Sequence, residues 1–136
     1  MSTEEIKVLA RQVIETFNSG EIESRKEWFT DDFVWHFSST TPMNTEQFLA
    51  FTHSIRQSFP DFVFTIEDIV AENDTVVVRF LATGTHQGVL QGLAPTQKRF
   101  SILGFGQYHL TNGKITEGWE LLDEFGELRQ LGILPA

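Results

Sequence analysis

The stretch KRFSILGFGQYHLTNGKITEGWELLDE, Lys98–Glu124, holds two long runs in which apolar residues recur at every second position, split by Thr111-Asn112-Gly113. Asn-Gly is the strongest short signal for a two-residue hairpin turn, because both central residues must adopt positive φ. The reading is two paired antiparallel strands over roughly 98–110 and 114–124. Upstream, Val76, Val78, Phe80 and Ala82 alternate in a further strand that follows the turn residues Glu72-Asn73-Asp74. Phe62, Phe64 and Ile66 open another. Phe33 to Ser38 also alternates, with Phe33, Trp35 and Phe37 on one face and Val34, His36 and Ser38 on the other.

Outside these runs the period changes. Ile6, Leu9, Ala10, Val13 and Phe17 fall at helical spacing, with Thr3 as expected N-cap, Glu4 and Glu5 in the first turn and Gly20 as the stop. A short helical piece is expected over 23–29. Asn44 and Gln47 have capping-box spacing, and Phe48, Phe51, Ile55 and Phe59 form one stripe of a helix that Pro60 helps to end. Helices first and a long meander afterwards define an α+β domain. The predicted architecture is a curved antiparallel sheet wrapped with N-terminal helices into a cone with an internal pocket, one domain over 1–136.

Composition narrows the partners. The chain has 136 residues, 40% of them hydrophobic, with thirteen Phe, three Trp and one Tyr. That is a large hydroxyl-free apolar surface to place in a core or around an apolar ligand. Ten basic against nineteen acidic residues leave a net charge of −9. Such a surface repels phosphate backbones and anionic lipid, so neither nucleic acid nor membrane is an expected partner. The absence of cysteine excludes disulfides, thiolate metal sites and Cys nucleophiles. The first residues lack the basic and apolar regions of a signal peptide, and no run reaches membrane-span length, so a cytoplasmic location is expected.

The chemistry-bearing candidates are polar residues in phase with apolar ones. In the last strand, Ile115, Glu117, Trp119, Leu121 and Asp123 share a face. Asp123 then ends a bulky apolar stripe, and desolvation there would make its carboxylate a stronger base. On spacing alone, the commoner role for such a residue is to sit in solvent or cap a turn. On the strand before it, Leu103, Phe105, Gln107 and His109 share a face. Pairing through Asn112-Gly113 puts Gln107 opposite Gly118 or Trp119 and Asp123 opposite Ile102 and Leu103. Asp123 therefore meets His109 only through strong curvature or a bulge, which Gly104, Gly106 and Gly118 permit. His36, His53 and His86 are scattered, and a lone His is more often structural than catalytic. No metal-ligand spacing, GxSxG, P-loop or dinucleotide fingerprint is present, so no metal or cofactor is expected.

Several motifs in order carry a resemblance: Phe59-Pro60-Asp61-Phe62, Gly84-Thr85-His86-Gln87-Gly88, Leu90-Gln91-Gly92-Leu93-Ala94-Pro95-Thr96, Gly113-Lys114-Ile115, Trp119-Glu120-Leu121-Leu122-Asp123 and Arg129-Gln130-Leu131-Gly132. From the first helix to nearly the last residue the chain resembles the SnoaL-like polyketide cyclases, within the cystatin-like, nuclear-transport-factor-2-like cones. Gln97 departs from the pattern, which has Gly after Pro-Thr. The resemblance implies a catalytic acid/base at Asp123, pocket-lining Gln107 and His109, and His36 on the first strand of the pocket. With the apolar stripes, the expected pocket also takes in Trp35, Phe51, His86, Phe105, Trp119 and Leu121. It implies a homodimer and an intramolecular aldol-type ring closure of an apolar, polyketide-like substrate. An isomerase or hydrolase on the same cone, and a non-catalytic binder of an apolar small molecule, stand as alternatives.

Overall fold

The computed structural model describes residues 1–135. Helix α1 (Thr3–Asn18) starts one residue earlier than expected, because Ser2 and Glu5 satisfy each other's backbone N–H groups in a capping box. A 3₁₀ segment (Ile22–Trp28) leads into β1 (Phe29–Phe37). Helix α2 (Thr45–Ser58) opens on the expected Asn44–Gln47 capping box. Strands β2 (Val63–Glu72), β3 (Thr75–Thr85), β4 (Arg99–Thr111) and β5 (Lys114–Leu122) follow, and α3 (Glu124–Gln130) closes the chain. None of the described helices is long and apolar enough to cross a membrane.

The five strands form one curved, open sheet in the order β1-β5-β4-β3-β2, antiparallel except for the β1–β5 pair. Asn112 and Gly113 take φ of 51° and 79°, the positive pair that a tight hairpin needs. The concave face carries Val76, Val78, Phe80 and Ala82 of β3 and Phe100, Ile102, Tyr108 and Leu110 of β4, all buried against the helices. Phe33, Trp35 and Phe37 of β1 join them. Helix α1 adds Ile6, Leu9, Ala10, Val13 and Phe17, every residue of its predicted stripe. Most core rings meet edge-on or tilted, as at Phe64–Phe80 (4.5 Å) and Phe33–Phe48 (5.4 Å), while Trp35 stacks on Phe33 and Tyr108.

One residue in β5 sets which side chains face inward. Leu110 pairs with Ile115 but His109 pairs with Glu117, so Thr116 is an extra residue, a β-bulge. Because side chains alternate, one inserted residue reverses the faces of everything beyond it. Ile115, Gly118 and Glu120 are buried, while Trp119 and Leu121 are exposed. The strict alternation expected for 115–123 is broken here. The glycines serve proximity: a Cβ on Gly118 would lie 2.5 Å from the Trp35 ring, so only Gly lets that ring rest against β5.

The Gln130-Leu131-Gly132 motif closes the sheet end. Pairing of β5 with β4 stops at Leu122–Gly104, leaving the backbone of Ser101 without a strand neighbour on that side. Gln130 supplies one: Ser101 N–H donates to its Oε1 (2.7 Å) and its Nε2 donates to the Ser101 carbonyl (3.1 Å). Leu131 is fully buried, and Gly132, at φ 77°, turns the chain away.

Candidate functional site

Two adjoining hollows lie between the concave face and α2. The inner chamber, about 40 Å³, is walled by Phe and Ile side chains together with Trp35, Tyr108, Thr52 and Glu120. The outer chamber, about 450 Å³, lies between the C-terminal part of α2, the loop around 89–93 and α3. Phe51 and Ile55 line both, so the two meet at that face of α2. The outer volume falls in the range of small-molecule sites, and the inner one has room for an end group or two or three waters.

Glu120 is the acid of the inner chamber. Its residue is only 6% exposed, and no hydrogen bond among the described residues reaches its carboxyl group. Desolvation alone raises its pKa from 4.5 to about 8. Tyr108 sits diagonally across on β4, since Tyr108 pairs with Gly118 and Glu120 with Gly106. Burial first, and the neighbouring Glu120 second, push the Tyr108 hydroxyl far above its ordinary value. Tyr108 therefore stays a proton-bearing donor. In the outer chamber, burial and then the adjacent Glu124 raise Glu127 to about 7. No Lys, Arg or His lines either chamber. Among the described residues no three His, Asp or Glu side chains gather as a metal site.

The expected site residues part company here. Trp35 and Phe51 line the hollows as expected. Gln107, His109 and Phe105 do not: all three are exposed on the convex face of β4, as are Trp119 and Leu121 on β5. Gln107 is indeed opposite Trp119. Both point to the outside. His36 is also on that side, stacked on Trp119 (5.1 Å between ring centres) with Nε2 2.7 Å from Glu117 Oε2. His86 is buried, but as a fastener, accepting from Thr96 N–H (3.2 Å) at Nδ1 and tying the 86–98 loop to itself. Asp123 is exposed, and its carboxylate accepts from Gly126 N–H (2.9 Å) as the N-cap of α3. Its backbone N–H donates to Leu103, the position the hairpin register predicts. The expectation of a desolvated Asp123 carboxylate is overturned: the chain turns into α3 at that residue and the helix N-terminus takes the side chain.

Glu120 and Tyr108 were missed because both faces of the β4–β5 hairpin read as apolar. Leu103 and Phe105 compete with Phe100 and Ile102, and Trp119 and Leu121 with Ile115. The available signal was the glycine pair Gly106 and Gly118, which mark a face crowded by rings, next in phase to Tyr108 and Glu120.

Comparison with known proteins agrees with this cone. The model of the SnoaL-like polyketide cyclases matches residues 7–131. The chain belongs to that family. Aklanonic acid methyl ester cyclase AcmA of Streptomyces galilaeus is 25% identical over 126 residues, covering 90% of this chain and 87% of AcmA. The crystal structure of IdmH from Streptomyces antibioticus, provisionally assigned as a polyketide cyclase, superimposes with a TM-score of 0.84 at 31% identity, over 93% of this chain and 98% of IdmH. AclR from Streptomyces galilaeus, provisionally assigned as a hydroxylase, superimposes with a TM-score of 0.89 at 26% identity, over 98% of this chain and all of AclR.

Proposed function

We propose that the protein is a cyclase-like enzyme that closes a ring in a neutral, apolar, carbonyl-containing small molecule, with Glu120 in the acid/base role. The observation that carries this reading is the lone carboxyl group of Glu120, buried without a partner in a small apolar chamber whose Phe51 and Ile55 walls it shares with a hollow of ligand size. A buried acid that contributes nothing to packing is costly to a fold and characteristic of sites that move protons. The named activity of AcmA, a cyclase of a methyl ester, gives the reaction class. A neutral substrate fits walls that hold acids and no cation.

In the reaction, ionised Glu120 takes a proton from a carbon flanked by carbonyls, leaving an enolate. That carbon attacks a second carbonyl of the same molecule, a C–C bond forms, and the resulting alkoxide recovers the proton from Glu120. No atom is gained or lost. Tyr108 donates a hydrogen bond to the enolate oxygen, where charge develops, and the Phe-lined walls fold the flexible chain on itself.

The test is a pair of variants assayed first on aklanonic acid methyl ester, the compound in AcmA's name. Glu120→Gln should lower turnover by about 10²–10⁴-fold, the usual worth of a positioned acid/base, while Asp123→Asn leaves it within a few fold. Loss of turnover in Asp123→Asn with Glu120→Gln active would overturn the assignment. Binding without turnover in the unaltered protein would return the carrier reading. Because the base form is required, kcat/KM should climb with pH and level off above about 8, where Glu120 is ionised.

We also propose that the convex face takes a second copy of the chain. Leu103, Phe105, Trp119 and Leu121 form an exposed apolar centre, flanked by the His36–Glu117 pair on one side and Arg79–Glu67 on the other. An apolar centre with both signs of charge at its edges is self-complementary across a twofold axis.

A further inference from the structure

A third hollow adjoins the inner chamber. It is small, about 50 Å³, and polar, framed by Gly20, Glu23, His53 and Arg56. It shares Phe17, Ile22 and Thr52 with the inner chamber. It shares no wall residue with the outer chamber. Helix α2 is the partition, with Thr52, His53 and Arg56 facing the polar hollow and Phe51, Ser54 and Ile55 facing the outer chamber. The chamber of Glu120 therefore has two neighbours: a wide hollow with largely apolar walls, which shares Phe51 and Ile55 with it, and a narrow one of the size and polarity that suit a few waters.

Arg56 keeps the narrow hollow in shape, because its guanidinium donates to the backbone carbonyls of Phe17 and Phe62 and so braces α2 to the end of α1 and the start of β2. Thr52 is the polar side chain among the three that line both the narrow hollow and the inner chamber. Its hydroxyl donates to the Leu49 carbonyl (2.7 Å), which leaves the oxygen lone pairs for an arriving water.

We propose that this polar hollow is a water port, through which the proton of Glu120 exchanges with solvent when a ligand fills the outer chamber. The inference rests on the acid/base reading above for its purpose. Glu120, protonated at neutral pH in the free protein, must lose that proton to water before it acts as a base. A substrate seated in the outer chamber closes the wide route at that moment. In the port, the carboxyl group gives its proton to a water at Thr52, forming hydronium that leaves past His53 and Glu23, and the carboxylate remains behind.

The chain contains no cysteine, so one introduced thiol can carry a plug. Gln57→Cys, on the outer chamber wall, is labelled with pyrene maleimide to fill that chamber. Exchange of the Glu120 proton is then followed by infrared spectroscopy after rapid transfer to D₂O, from the protonated-carboxyl band that Glu120→Gln removes. With the outer chamber plugged, exchange should stay within about twofold of the unplugged rate, and adding Thr52→Leu should slow it at least about tenfold, equivalent to about 1.4 kcal/mol on the barrier. Where Thr52→Leu fails to fold, His53→Trp, at an exposed helix position, obstructs the port from outside. Slowing by the outer plug alone to the doubly blocked rate would overturn the port. So would unslowed exchange with both routes blocked. The readout is exchange and not turnover, so it stands or falls separately from the Glu120→Gln assay.

Discussion

The two faces of one hairpin behave as opposites. On the concave side of β4–β5, Tyr108 and Glu120 are shut in among rings, and the carboxyl group finds no donor. On the convex side, Gln107, His109 and Asp123 stand in or near solvent, with Asp123 capping a helix. Polar residues of similar chemistry thus have unequal consequences. A carboxylate in water is ordinary, whereas the same group without water is poised to take up a proton and to be removed only at a cost. Burial, and not residue type, separates a site from a surface.

The sharpest way to break that contrast is to remove the charge from the buried side. Beyond its effect on turnover, Glu120→Gln should change the pH dependence of stability. The folded-state pKa lies above the unfolded value of 4.5, so the folded protein holds the extra proton and stability falls as pH rises from 4.5 to about 8. The slope from this group is about 1.4 kcal/mol per pH unit within that window. Thermal melts at pH 5 should therefore nearly coincide for the two proteins, and at pH 9 the variant should melt several degrees higher. A variant that melts lower at pH 9 would show that Glu120 is solvated.

Next in size is the close approach that gives the concave face its shape. Gly118→Ala forces a methyl group into the Trp35 ring, which is pinned from behind by Phe48 at 5.0 Å. A loss of about 1–3 kcal/mol is expected from such overpacking, read by urea unfolding, with weaker ligand binding in the inner chamber. On the convex face the corresponding change is one of assembly. Phe105→Lys with Leu121→Glu should convert a dimer to a monomer in sedimentation equilibrium while the melting of each chain stays cooperative. A wild-type protein that sediments as a monomer at tens of micromolar would remove the convex face from consideration as an interface.

The fold was legible because its signals are redundant. The Asn112-Gly113 turn, the alternation of Val76 to Ala82 and the 3.6-residue stripe of Ile6 to Phe17 each determine an element, and no two conflict. The site was not legible, because on β4 both alternating faces carry apolar residues, and on β5 it hangs on Thr116, a single residue with no distinguishing chemistry. Remove the bulge and Trp119, Leu121 and Asp123 face inward, which is the arrangement that strict alternation predicts. Keep it and Glu120 does. The family motif containing both Trp119-Glu120 and Asp123 could not arbitrate, since the two carboxylates are three residues apart and lie on either side of the strand end. Similarly, His86 in its Gly-Thr-His motif is buried like a functional residue, and only its bonds to Thr96 show that it holds a loop.

The smallest effects belong to the residues that the sequence made most conspicuous. Gln107 has no side-chain hydrogen bond among the described residues, and His109 has one long contact, 3.3 Å from Nδ1 to Thr75 Oγ1 in solvent. Neither packs into the core, so Gln107→Ala and His109→Ala should each move stability by no more than about 0.5 kcal/mol. Turnover should change less than twofold, because neither side chain reaches the chamber from the far side of the sheet. Asp123→Ala is the instructive intermediate: removal of an N-cap costs about 0.5–2 kcal/mol. That loss should loosen α3 and with it the Gln130–Ser101 clasp, visible as faster amide exchange at Ser101. If Gln107→Ala or His109→Ala instead abolished turnover with the fold intact, the convex face would have to be the reactive one, and the assignment to Glu120 would fail.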